Sequence, residues 1–373
     1  MKQTQAFLST YTADVSGVCS ALFELGGMTV MHDASGCNST YNTHDEPRWY
    51  DMDSLVYISG LSELEAVMGD DEKLISDVSD AARQLHPRFI ALAGTPIPMI
   101  TGCDLPAIAR EVEGRTNIPS FAVPSNGIGT YVAGARQALR LYAERFITSR
   151  PEKRKNAVNI LGATPLDFSV NGCVQSMARR LEEAGFTLQS VFAMGSSFDS
   201  IDEAGAAEVN LVVSSVGLPA AKYFQAQFGT PYVIGAPFGD FFSPYVFDAL
   251  RESIRTGAPA DVLGTFAPDA PDTVIVGESV TAKSLAAALA VGYGIGARVI
   301  CPVEAPNGVL GACDLRLEDE EEIEQALRGA RRVIADPLYR RIVPAKSEFY
   351  PLPHEAFSGR IYRRQIPNLA ERV

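Results

Sequence analysis

Short apolar runs alternate with longer amphipathic stretches along the whole chain. The runs cover residues 28–32, 56–59, 89–94, 121–125, 158–163, 188–193, 211–215, 232–236, 273–277, 298–303 and 332–335. Most are nearly continuous Val, Ile, Leu and Ala rather than alternating apolar with polar. Strands buried on both faces have that composition, so parallel sheets are expected. Between them, residues 72–85, 130–146, 173–184, 219–228 and 320–330 carry apolar positions at helical spacing. Repeated β-α units of this kind predict α/β architecture.

Two stretches interrupt the pattern. Residues 148–156 (TSRPEKRKN) are charged and contain proline, and residues 256–271 (TGAPADVLGTFAPDAP) are rich in Pro, Gly and Ala. Both read as linkers, which gives three α/β domains at 1–150, 151–265 and 266–373. Three Rossmann-like domains with mostly parallel sheets are therefore expected. The glycines of residues 292–297 (GYGIGA) follow a predicted helix and precede a strand. A dinucleotide fingerprint has the opposite order, so this stretch reads as a helix C-cap and turn. Gly277-Glu278-Ser279 does join a strand to a helix, a place that suits a ligand, although Ser279 as an N-cap accounts for it.

Composition narrows the function classes. Of 373 residues, 46% are hydrophobic and 21% charged, a globular mixture that excludes collagen, coiled coil and disorder. The net charge of -13 argues against a nucleic-acid surface, which needs clustered Lys and Arg. The longest apolar stretch, 284–303, is broken by small and polar residues including Arg298, so no membrane span is expected. The first residues lack an apolar signal core, and a reducing cytoplasm is the expected compartment. No GxxxxGK[ST], GxSxG or HExxH motif occurs.

The six cysteines, Cys19, Cys37, Cys103, Cys173, Cys301 and Cys313, form no CxxC pair. Cys173 and Cys301 read as core residues within a helix and a strand. Cys313 falls in a loop beside acidic residues. The chemistry concentrates in residues 28–53 (MTVMHDASGCNSTYNTHDEPRWYDMD), which hold His32, His44, Cys37, the only Trp and five acidic residues. A strand ends at His32, and Gly36-Cys37 then opens a helical segment. A cysteine at a helix N-terminus suits a metal ligand or nucleophile, while a turn glycine beside a small buried cysteine explains the same pair. In the polar loop, His44, Asp45, Glu46 and Arg48 could supply protons or substrate contacts. His86, beside Pro87, reads as a charge at a helix C-terminus. Near the end of the chain, His354 and Arg360 are the residues that could face a ligand.

Several segments together resemble the nitrogenase component 1 superfamily, which includes dark-operative protochlorophyllide reductase. His32-Asp33-Ala34-Ser35-Gly36-Cys37 is similar to its HG-x-x-GC turn after a strand. Val67-Met68-Gly69-Asp70-Asp71-Glu72-Lys73-Leu74 is similar to its φ-F-G-G-x-x-K-L helix start. Gly102-Cys103-Asp104-Leu105 resembles the cysteine loop that leads into GDDL. Ile118–Leu139 and Glu46-Pro47-Arg48-Trp49-Tyr50 resemble further segments, and residues 351–360 (PLPHEAFSGR) resemble a C-terminal one near the substrate side. The likeness is strong over residues 15–145 and weaker beyond.

The resemblance implies subunits paired as a homodimer or with a related subunit, and an iron-sulfur cluster near their interface. It also implies electrons delivered by a separate ATP-hydrolysing iron protein. Cys37 matches the family's central cluster cysteine, with Gly36, Asp33 and His32 around it. An earlier family cysteine falls near residues 12–14 and a third near Thr95-Pro96, where this chain has none. Cys19 and Cys103 are the displaced candidates, and Asp14, Asp33 or His32 could be non-cysteine ligands. The resemblance with these departures implies a four-iron four-sulfur cluster shared by a dimer and no iron-molybdenum cofactor. Three functions fit: a reductase catalytic component, a scaffold for metallocofactor assembly, or a metal-free ligand-binding relative.

Overall fold

A computed structural model describes residues 5–34, 36, 40–266 and 271–373. Three parallel sheets carry the chain in succession. The first contains β1 (Met28–His32), β2 (Leu55–Ile58), β3 (Ile90–Gly94) and β4 (Ser120–Val123), in the order β2-β1-β3-β4. The second contains β5 (Arg154–Leu161), β6 (Thr187–Val191), β7 (Ala207–Val212), β8 (Tyr232–Ile234) and β9 (Ala260–Asp261), in the order β6-β5-β7-β8-β9. The third contains β10 (Thr273–Val276), β11 (Ala297–Cys301), β12 (Leu315–Arg316), β13 (Arg332–Ala335) and β14 (Glu348–Pro351), in the order β12-β11-β10-β13-β14. Pairings within each sheet are parallel, as in β1 with β3, β5 with β7 and β10 with β13. Each apolar run of the sequence overlaps a strand. The strands without a run are β9, β12 and β14, which lie at sheet edges, where one flank has no partner and burial is incomplete.

Each sheet has a place where the winding reverses: between β1 and β3, between β5 and β7, and between β10 and β13. Ligands of open α/β sheets bind at such points, beyond the C-terminal strand ends. The turn after the Ser279–Tyr293 helix is the expected cap, with Gly294 left-handed at φ 66°. At the other end of that helix the cap is one residue earlier than expected. Glu278, not Ser279, accepts from the N–H groups of Val280 and Thr281, and Ser279 Oγ donates to it as well.

Two long-range contacts lock the fold, one within the first domain and one between the second and third. The Asp14–Leu22 helix is buried along its whole length and packs against the Tyr131–Phe146 helix. Their backbones touch through glycines: a Cβ on Gly134 would lie 1.8 Å from Asp14 O, and one on Gly17 would lie 2.2 Å from Tyr131 O. The chain's last segment straps the second domain to the third. Asn171 Nδ2 donates to the carbonyls of Ile366 and Pro367, and Gly239 N donates to Leu369 O. Since neither backbone of the helix pair can yield, Gly134→Ala should destabilise the protein by at least ~2 kcal/mol through overpacking. Urea unfolding followed by circular dichroism measures this, and a loss below ~0.5 kcal/mol would show that the helices separate freely.

Candidate functional site

The second and third domains turn the C-terminal ends of β5, β10, β13 and β14 toward one another. A cavity of about 50 Å³ lies between them, room for a few waters. Its lining includes Tyr11, Asp167, Cys173, Glu278, Asp336 and His354. Asp167 sits just after β5, in the short Pro165–Phe168 helix, and its carboxylate is shielded from solvent. It accepts from Ser214 Oγ at 2.6 Å and from the Tyr131 hydroxyl. His354 follows β14, with its Nε2 3.5 Å from Asp167 Oδ1. That spacing is beyond a hydrogen bond, and Nε2 is buried without a partner. Nδ1 of the same ring accepts from Ala356 N at 3.2 Å, so in this geometry the ring proton belongs on Nε2, facing Asp167. Asp336, after β13, accepts from His354 N at 2.9 Å and from Leu338 N.

The electrostatics are one-sided. Three carboxyls and one imidazole line the cavity, and no Lys or Arg among the described residues does. Burial raises the Glu278 pKa, and the nearby Asp167 charge raises it further. Burial also raises Asp336. For His354, burial opposes the charged form, but Asp167, Asp336 and Glu278 outweigh it and raise the pKa. Burial, then the Asp167 charge, holds Tyr131 well above the ordinary phenol value. The raised values favour the protonated forms of Glu278, Asp336 and His354, which suits a site that holds protons.

The polar loop lies elsewhere. Tyr41–Asp45 forms a single π-helical turn. Asp45 accepts from Thr12 Oγ1, Ser16 Oγ and His44 Nδ1. The Glu46 carboxylate accepts from Arg48 Nε at 2.7 Å and from Ser20 Oγ at 2.8 Å. Arg48 also donates to Glu24 Oε1 and to Ala193 O, so it clamps the first domain to the second. Glu46 and Arg48 are thus buried and fully used in packing. His44 is half-buried against Gly359, and its bond to Asp45 raises its pKa. None of the four lines the cavity. Arg360 is exposed and donates to Thr43 O, whereas His354 does face the cavity.

Cys37 lies outside the described residues. Nearby, His32 Nδ1 is 2.8 Å from Ser59 Oγ, and burial lowers its pKa. Asp33 Oδ1 accepts from Ala34 N, and Gly36 is exposed in a turn. Asp14 accepts from Asn126 N and Gly127 N, so its two oxygens hold that loop. Cys19 is fully buried in the core, and burial followed by the Glu46 charge pushes its thiol far up. Cys103 is half-buried beside Asp71, and burial, then that carboxylate, pushes its thiol up to about 12. The structure does not bring Cys19 and Cys103 together. Among the described residues, no three His, Cys, Asp or Glu side chains cluster as a metal site.

The sequence pattern does not single out the cavity residues Asp167, Asp336, Tyr131 and Tyr11. The signal that could have found two of them is position: Asp167 and Asp336 each follow a run that ends a strand, as Glu278 does.

A family model described as nitrogenase component 1 type oxidoreductase matches residues 16–261. The Klebsiella pneumoniae nitrogenase iron-molybdenum cofactor biosynthesis protein NifE is 24% identical over 227 residues, 56% of this chain and 49% of that protein. A light-independent protochlorophyllide reductase chain of Nostoc punctiforme is 26% identical over 181 residues, 46% of this chain and 36% of that one. The chain thus spans half or less of the length of these curated relatives. A solved structure titled nitrogenase Cp1 at pH 5 superposes with a TM-score of 0.61 at 16% identity, covering 87% of this chain and 72% of that one. With the family model matched over most of the chain and the three-sheet fold agreeing, this chain belongs to the nitrogenase component 1 type oxidoreductase family.

Proposed function

We propose that this protein is the catalytic component of a nitrogenase-like reductase, which takes electrons from an ATP-hydrolysing iron protein and reduces a small substrate at the three-domain junction. The junction cavity carries the proposal: three carboxyls and His354 converge there with no Lys or Arg in the lining. A reduction that adds electrons to a substrate must also add protons, and His354, Glu278 and Asp336 are placed to hold them. His354 Nε2, buried and unpartnered, is the group aimed to give one up. A carrier of a metallocofactor would call for soft ligands at the same place. Cys173 is the cysteine of the cavity lining, and burial pushes its thiol up to about 11, away from the thiolate form. The volume of 50 Å³ argues for a substrate of a few atoms, or for one that enters as the domains part.

An iron-sulfur cluster would supply single electrons. Within one chain the described candidate ligands do not fit it, since Cys19 is locked in the core and Cys103 stands apart. The proposed cluster is therefore held by Cys37 from two chains. Support for pairing comes from an apolar face on the first domain. Leu64, Val67 and Met68 follow β2, Ile100 follows β3, and all are 71–78% exposed. The two short helices that carry them pack together. An exposed apolar face of this kind suits a subunit contact. The partner is a second copy or a related subunit, and the compartment is the reducing cytoplasm.

The scaffold reading is the second, because the relatives include NifE proteins, named for cofactor biosynthesis. Consumption of dithionite that depends on both the iron protein and ATP would support the reductase. Transfer of metal to an apoprotein without such turnover would support the scaffold.

Three measurements test these readings. Protein purified without oxygen should contain about four irons per dimer, and Cys37→Ala should lose them; iron-free protein after cluster reconstitution would overturn the cluster. Val67→Asp should shift the dimer toward monomer in sedimentation, and an unchanged dimer would move the interface elsewhere. The third is pH dependence. A carboxyl raised in the fold adds stability below its ordinary value, 4.5 for Glu278, and that contribution is lost as pH rises through the folded value. Glu278→Gln should therefore lose less melting temperature than the parent as pH rises above 4.5, and equal slopes would show that the Glu278 pKa is not raised in the fold.

A further inference from the structure

A second pocket, of about 220 Å³, opens on the outer side of the turn after β7. Arg136 and Arg140 reach it from the Tyr131–Phe146 helix, Lys222 from the Leu218–Phe228 helix, and Pro306 closes it from the third domain. Arg136 and Arg140 are one helical turn apart, so their like charges repel. Lys222 lies near the positive end of its own helix, whose first turn has no acidic residue. Only Arg140 is paired, with Glu144 at 2.7 Å. Arg136 and Lys222 make no ion pair among the described residues. In a chain of net charge -13, these three cations share one concavity and repel one another, with a carboxylate partner for Arg140 alone. An anion seated among them would remove that cost.

We propose that this pocket binds a phosphate group, either free or on a phosphorylated small molecule. Guanidinium forks match tetrahedral oxyanions, and an ammonium adds a point charge. The site is distinct from the junction cavity and shares no lining residue with it; the turn that holds Ser215 lies between them. Ser215 lines the pocket, while its N–H donates to Glu278 Oε1 on the cavity side.

Titration calorimetry of the full chain with inorganic phosphate, at ionic strength fixed with sodium chloride, tests the proposal. Saturable binding near one per chain is expected, weakened at least tenfold in Arg136→Gln/Lys222→Gln. Both positions lie outside the core, so unchanged circular dichroism should accompany the loss. Glycerol 3-phosphate as the second titrant separates the sources: tighter binding than phosphate points to a phosphorylated molecule, equal or weaker binding to the free ion. Heat that follows chloride and phosphate alike, or equal affinity in the double variant, would overturn the site.

Discussion

The structure is built around a charge imbalance that it cannot neutralise. Asp167, Glu278 and Asp336 meet at the junction of the second and third domains, with one imidazole and no Lys or Arg among the lining residues. Carboxylates taken out of water are costly unless paired or hydrogen-bonded. The fold answers with donors: Tyr131 and Ser214 for Asp167, backbone N–H groups for Asp336, and the start of the Ser279–Tyr293 helix for Glu278. What the donors leave unanswered appears as the raised pKa values of Glu278 and Asp336, both pushed up by burial. Proton retention is thus a consequence of packing rather than of one special residue.

Keeping that junction closed explains features that otherwise look unrelated. The Asp14–Leu22 helix presses its backbone on the Tyr131–Phe146 helix and so fixes Tyr131 at the head of the latter. Thr12 N donates to Ala356 O, and Tyr131 N donates to Thr12 O, so the same segment reaches the His354 loop. Glu355 joins in from the next position, since it accepts from Ser169 Oγ and pairs with Arg363. The Arg48 clamp holds the first domain to the second at Ala193. Arg48 and Glu46 serve chemistry indirectly, through the position of the domains.

These contacts also mark what the sequence could and could not disclose. Continuous apolar runs make strands legible because a strand buried on both faces must be apolar throughout. Edge strands such as β14 lack that requirement and left no signal. The segment around His354 was legible through resemblance in local motif. Asp167 and Asp336 were not, because each is an ordinary acid in its own segment and gains its character only when two domains close on it. The polar loop is the converse case. A density of His, Asp, Glu and Arg suggested reactive groups, but hydrogen bonds to Ser16, Ser20, Glu24 and Ala193 use most of their capacity.

The turn after β7 couples the junction to the surface. Gly162, at the end of β5, and Gly217 have no room for side chains: a Cβ on Gly217 would lie 2.4 Å from the Leu161 carbonyl carbon, and one on Gly162 would lie 2.7 Å from Gly217 N. The turn is therefore clamped against the strand that leads to Asp167. Ser214 contacts that carboxylate and Ser215 contacts Glu278. A displacement of the turn would move donors at two of the three acids together, and loss of the Ser215 N–H would raise the affinity of Glu278 for a proton. The basic pocket on the outer face of this turn consequently lies where occupancy could be felt by the proton-holding groups, through backbone rather than through charge alone.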